Sequence, residues 1–119
     1  MNGSKILIMG LTFKENVADT RENPVHKVIS LLKGHGCRVF GYDPLLTDQE
    51  IAAFDILPVD SLFGVHVDAV IMTVVHDVFQ QMDLTDLKKC LKEPGVLVDV
   101  RGHFSVKDAE DLGMIYRTL

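Results

Sequence analysis

The chain reads as an α/β domain: a three-layer, Rossmann-like open sheet, mainly parallel, with helices on both faces. Three observations predict it. Short apolar runs alternate with segments of helical periodicity from one end of the sequence to the other. Several of those runs, among them Ile6-Leu7-Ile8-Met9, Ala69-Val70-Ile71-Met72 and Val96-Leu97-Val98, show no polar alternation, as expected of strands buried on both faces. At 119 residues the chain has the length of one domain, enough for a real core and too little for a two-domain enzyme.

The elements run in order along the chain. Lys5-Ile6-Leu7-Ile8-Met9 is a buried strand closed by Gly10, and a polar stretch runs from Thr12 to Glu22. Asn23-Pro24 reads as an N-cap with proline at the first helical position, where its missing N–H costs nothing. Val25, Val28, Ile29 and Leu32 then form one apolar helix face, ended by Gly34 and Gly36. Arg38 to Tyr42 is a second strand, stopped by Asp43-Pro44. Thr47 with Glu50 makes a capping box for a short helix through Phe54. Ile56 to Val59 is a weak strand, placed near an edge by Pro58, and Asp60 to Phe63 has room for one helical turn. Asp68 to Val75 is the strongest strand signal. A helix from Leu84 to Leu91, a strand from Val96 to Val100, a helix capped by Ser105 through Leu112, and a short strand at Met114 to Tyr116 complete the chain. The alternation leaves the strand order open.

Composition narrows the function. Hydrophobic residues make up 47% and charged ones 24%, the mix of a globular protein rather than a disordered one. A net charge of -5 argues against a nucleic-acid binder, which needs a basic surface to displace counterions. No apolar run approaches the roughly 20 residues of a membrane span, and no signal-peptide pattern precedes the first strand. Cys37 and Cys90 lack metal-type spacing and read as small core residues, so a reduced cytoplasmic setting is expected.

A sheet of this kind binds ligands beyond the carboxyl ends of its strands. Four stretches line that edge: Gly10 to Lys14, Gly41 to Pro44, Thr73 to Asp77 and Asp99 to His103. In an acidic chain, two of them carry a cation just past a strand, Lys14 and Arg101, and Arg21 shares the loop of Lys14. Cations gathered near backbone amides suit a phosphate or diphosphate, and Phe13 offers a face for a base or sugar. The equal alternative is that Lys14 and Arg21 are solvated charges paired with Glu15, Asp19 or Glu22.

Other chemistries find little support. The dinucleotide fingerprint is missing, since Gly10-Leu11-Thr12-Phe13-Lys14 replaces G-x-G-x-x-G. Asp43 stands where such a fold keeps its ribose-binding acid, but Asp43-Pro44 serves equally as a turn. The five histidines show no metal-binding pairing, so neither a metal site nor catalytic residues are expected. His76, at the ligand edge, reads as a helix cap rather than a polar contact between strand ends.

The run Gly10-Leu11-Thr12-Phe13-Lys14-Glu15-Asn16-Val17-Ala18-Asp19-Thr20-Arg21-Glu22-Asn23-Pro24 closely resembles the G-L-x-F-K-x-x-x-x-D-x-R-x-S-P segment of the UDP-glucose/GDP-mannose dehydrogenases. The likeness continues through Tyr42-Asp43-Pro44, Asp68-Ala69-Val70 and Val98-Asp99-Val100-Arg101. It implies that residues 1–119 are a single UDP-sugar-binding domain, the C-terminal piece of a larger dehydrogenase whose NAD-binding and central helical domains are absent. Enzymes of that family oxidise the C6 hydroxyl of a nucleotide sugar to a carboxylate in two hydride transfers to NAD, through a thiohemiacetal on a cysteine of the missing part. By the resemblance, Phe13, Lys14 and Arg101 contact the UDP-sugar and Arg21 reaches towards NAD. A homo-oligomer is implied for the full-length protein, with a role in polysaccharide precursor synthesis. Gly-Leu-Thr-Phe-Lys-Glu-Asn and the ending Tyr116 to Leu119 look closer to the UDP-N-acetylhexosamine enzymes, with UDP-N-acetylmannosamine or a related substrate as first choice. The competing reading is a non-catalytic doubly wound nucleotide-binding or assembly module. A receiver-type version of it fails because Asp68 falls at a strand start.

Overall fold

The computed structural model describes residues 3–11, 25–62, 65–73, 76–80 and 82–118. Its strands are β1 (Lys5–Met9), β2 (Arg38–Tyr42), β3 (Leu57–Pro58), β4 (Val67–Met72), β5 (Leu91–Asp99) and β6 (Ile115–Thr118). They form one sheet in the order β3-β2-β1-β4-β5-β6, and every neighbouring pair is parallel. The helices are α1 (Val25–Gly34), α2 (Asp48–Ala52), α3 (Asp77–Gln80), α4 (Leu84–Cys90) and α5 (Val106–Asp111).

Topology decides which face each helix covers. From β1 the chain steps outwards to β2 and β3; from β4 it steps the other way, to β5 and β6. Right-handed crossovers therefore put the helices of the two halves on opposite faces. One face packs Ile8 and Val39 against Val25 and Ile29 of α1 and Ile51, Phe54 and Ile56 from the region of α2. The other packs Leu7, Met9, Val70, Met72 and Leu97 against Phe79, Leu84, Leu87 and Ala109 from α3 to α5. Leu7 and Ile8 are neighbours in sequence and serve opposite layers, as the period of a strand requires.

Local signals explain the element ends. The amide of Gly36 donates to Lys33 O and that of Cys37 to Leu32 O, the pair of bonds that closes a helix around a left-handed residue. Gly36 occupies that conformation at φ 81°. Thr47 and Glu50 form the expected reciprocal capping box. Asp83 and Asp86 form a second one, and Ser105 caps α5. Pro58 sits on the edge strand, where its missing donor breaks no ladder.

The structure departs from the sequence reading in three places. Asp60 to Leu62 are irregular rather than helical, although Leu62 still packs against the core. Asp77–Gln80 forms a short helix that carries Phe79 into the core. The fifth strand begins at Leu91 rather than Val96, its register with β4 shifting between Val67 and Ala69. The cap at Asn23-Pro24 lies outside the described residues.

Gly41 lies where the sheet packs closely against its neighbours. A Cβ there would lie 2.6 Å from Ile56 Cδ1, 2.9 Å from Leu11 Cδ1 and 3.0 Å from Ile51 Cγ2, so three core side chains would have to shift together. Gly41→Ala should therefore lower stability by about 1–3 kcal/mol in urea unfolding. A neutral result would mean that this layer is loosely packed.

Candidate functional site at the carboxyl edge

The strand order reverses between β1 and β4, whose carboxyl ends are Met9-Gly10-Leu11 and Met72-Thr73. The two ends stay joined past the last ladder residues. The Thr73 amide donates to Met9 O at 3.0 Å, and its hydroxyl donates to Gly10 O. On the other side, the Gly10 amide donates to Tyr42 O at 3.1 Å.

Arg101 lies just past β5, exposed, and its Nε donates to Thr73 O at 3.3 Å. The sheet has thus carried this cation from the end of β5 to the end of β4, next to the switch point. Phe13, Lys14 and Arg21 lie outside the described residues. Leu11, two residues before Phe13, is the last described position ahead of them, and it is fully buried. His103 is exposed, its ring edge-on to Phe104 at 4.7 Å.

Two buried aspartates organise this edge. Asp43 takes a turn role, since its Oδ1 accepts from Leu45 N at 2.9 Å. It does more than turn the chain: Oδ2 accepts from Leu11 N at 2.8 Å and from His76 Nε2 at 3.0 Å. The side chains of Asp43 and His76 are both wholly buried. An acid at this strand end could have faced a ribose, but both of its oxygens are committed inside the protein. His76 does stand at the cap position, immediately ahead of α3 with its carbonyl accepting from Phe79 N, but its side chain also makes a polar contact at the strand ends. Its ring lies in the core, 5.3 Å from that of Phe79, because a buried carboxylate demands a donor that the strand ends alone do not provide. A carboxylate only accepts, so Nε2 carries the proton.

Asp99, at the end of β5, is also fully buried. Its Oδ2 accepts from Phe104 N at 2.8 Å and from the Tyr116 hydroxyl at 2.7 Å, which ties the loop of Arg101 back onto β6. Oδ1 has no hydrogen-bond partner among the described residues. Asp68 sits at the opposite edge, where its Oδ2 accepts from Lys5 N, so the three aspartates form no common cluster. Cys37 and Cys90 are free and buried, and burial raises the Cys90 thiol, away from the reactive thiolate.

Arg101 lies past β5 as its place in the sequence suggests, whereas the pairing of His76 with Asp43 is not signalled by either residue's own neighbours. The available signal was a histidine and an aspartate both at strand ends of the ligand edge, without a solvent-facing role for either.

Asp43 and Tyr116 respond to pH in opposite directions. Burial would raise the Asp43 carboxyl, but the His76 hydrogen bond, the Leu11 and Leu45 amides and the attraction of the imidazole hold it below its ordinary value. Its contribution is therefore complete above roughly pH 4 and is lost as pH falls through the folded value. Asp43→Asn should cost about 2–4 kcal/mol at pH 7 in urea unfolding. The gap from wild type should shrink as pH falls from roughly 4 towards 2, whereas a constant gap would contradict an ionised acceptor. The Tyr116 hydroxyl is pushed up to about 12 by burial and by the bond to and charge of Asp99. Its contribution is present below its ordinary value near 10 and lost as pH rises through about 12. Tyr116→Phe should cost about 1 kcal/mol at neutral pH and blunt the alkaline loss.

The profile of the UDP-glucose/GDP-mannose dehydrogenase family, UDP binding domain, matches residues 7–106. The UDP-N-acetyl-D-glucosamine 6-dehydrogenase of Salmonella typhi is 35% identical over 102 residues, which are 85% of this chain and 24% of that protein. The UDP-glucose 6-dehydrogenase of Rhizobium meliloti (strain 1021) is 31% identical over 122 residues, 100% of this chain and 28% of that one. Among solved structures, the NDP-N-acetyl-D-galactosaminuronic acid dehydrogenase of Methanosarcina mazei Go1 shares the fold at a TM-score of 0.82 and 21% identity, over 98% of this chain and 24% of that one. A UDP-glucose dehydrogenase of Pyrobaculum islandicum matches at a TM-score of 0.68 and 26% identity, over 98% of this chain and 25% of that one. The chain thus spans about a quarter of the length of the relatives it matches. With its parallel sheet, its switch point and the placement of Arg101, this chain belongs to the UDP-glucose/GDP-mannose dehydrogenase family and forms its UDP binding domain.

Proposed function

We propose that the chain is the nucleotide-sugar-binding domain of an NAD-dependent UDP-sugar 6-dehydrogenase, one that oxidises the C6 hydroxyl to a carboxylate in two hydride transfers. In this reading residues 1–119 form one domain that is inactive alone, and the oxidation belongs to parts of the protein beyond it. The observation that carries the reading is Arg101, held by Thr73 O beside the switch point of a domain whose family is named for binding UDP. A guanidinium there suits a diphosphate, whose oxygens match its planar fork. Lys14 supplies the second cation and Phe13 an apolar face for the base or sugar.

The described residues do not fit an NAD site. The G-x-G-x-x-G turn is missing, and Asp43, where a ribose acid would stand, is turned inwards and fully used. Of this chain's residues only Arg21 is assigned to NAD, reaching it across a cleft between domains. Relatives named for UDP-N-acetyl-D-glucosamine and UDP-N-acetyl-D-mannosamine support an N-acetylhexosamine as the sugar. A cytoplasmic enzyme that supplies an acidic sugar for polysaccharide synthesis, active as a homo-oligomer, is the setting this chemistry suits.

Titration calorimetry with UDP tests the site. Lys14→Ala and Arg101→Ala should each weaken UDP binding about tenfold, the loss expected for one charge-assisted hydrogen bond, and leave the unfolding midpoint within error. If neither changes the affinity of a chain that binds UDP, the residue assignment is wrong.

A further inference from the structure

Past their last paired residues, the parallel strands of this sheet have no further need of one another. Three chain segments nevertheless converge there on a single carboxylate. Asp43 follows β2, Leu11 follows β1, and His76 lies beyond β4 at the start of α3. Ladder-like bonds already tie β1 to both neighbours, through Gly10 N to Tyr42 O and Thr73 N to Met9 O. The additional link costs the burial of an ionised group, and where stability alone is at stake an apolar side chain of similar size serves as well. What a carboxylate adds is direction. Oδ2 accepts from Leu11 N at 2.8 Å and from His76 Nε2 at 3.0 Å, so the imidazole sets the orientation in which the Leu11 amide is held. The ring itself is fixed, buried against Phe79, and the His76 carbonyl accepts from Phe79 N at 2.8 Å.

We propose that Asp43 and His76 are positioning residues for nucleotide binding: the carboxylate, oriented by the imidazole, fixes the backbone of Leu11, the point from which the chain continues to Phe13 and Lys14. This role presupposes that Phe13 and Lys14 contact the nucleotide sugar. Neither Asp43 nor His76 touches the ligand; both act through Leu11.

The test compares His76→Leu, which removes the donor at similar volume, with His76→Gln, whose amide reaches the place of Nε2. His76→Asn, too short to reach Oδ2 yet still polar, stands in if the leucine variant does not fold. UDP affinity is measured by calorimetry well below each unfolding midpoint, where a loss of stability alone leaves the affinity of the folded protein unchanged. Amide exchange at Leu11 and Leu7 is followed in parallel. Removal of the donor should weaken UDP binding about tenfold, in line with the cost of a small misplacement of binding groups. It should also speed exchange at Leu11 and not at Leu7, while His76→Gln restores both affinity and protection. If the wild-type chain binds UDP and the donor-free variant binds it equally well, the positioning role is overturned and the nucleotide site stands. If the wild-type chain fails to bind UDP while Leu11 remains protected, the nucleotide reading itself falls and takes this role with it.

Discussion

A buried carboxylate that must be satisfied on every side sets the geometry of the ligand edge. Asp43 lies in the core with no water-facing surface to solvate its charge, so its oxygens take hydrogen bonds from Leu11, Leu45 and His76. Each donor belongs to a different part of the chain, and each lies just outside a regular element. Hydrophobic burial brings β1, β2 and β4 together but is indifferent to small displacements of the segments beyond their ends. The carboxylate is not indifferent, because a donor displaced by an ångström leaves a buried charge unpaired.

Asp99 repeats the device on the other half of the sheet. It draws Phe104 N and the Tyr116 hydroxyl onto one oxygen, so the loop that carries Arg101 is closed against β6. Arg101 itself reaches to Thr73 at the end of β4. The two halves of the doubly wound sheet therefore meet over the switch point through polar contacts at their ends, while Leu7, Met9, Val70, Met72 and Leu97 join them below through the core. Rigid apolar layers below and directed polar contacts above are the division of labour that a binding edge needs.

Most of the fold was legible because its elements are locally consistent. Continuous apolar runs named five of the strands within a few residues, the capping box at Thr47 and Glu50 formed as expected, and the helix face of Val25 and Ile29 is the buried one. The errors fall where local preference is weak. Asp77–Gln80 is too short for a periodic pattern to declare itself, and only the docking of Phe79 makes it a helix. Leu91 to Gly95 contains a proline and a glycine, and it joins the strand through Leu91, which pairs with Val67 before the ladder resumes at Val96 opposite Ala69. At the site, Arg101 was legible because a cation just past a buried strand has one edge to occupy. His76 was not, since nothing in its own neighbourhood distinguishes a cap from a core donor.

The sequence by itself determined the layers, the parallel sheet and, through the stretch from Gly10 to Pro24, the family. Apolar periodicity, caps and an uncommon motif are local properties, readable without knowing what lies across the sheet. Only the tertiary structure decided the strand order and the meeting of Arg101 with Thr73. It also decided that Asp43 and His76, 33 positions apart, form one buried pair. A charge is satisfied by whatever the fold places within about 3 Å of it, and that distance is a property of the closed sheet rather than of any segment of the chain.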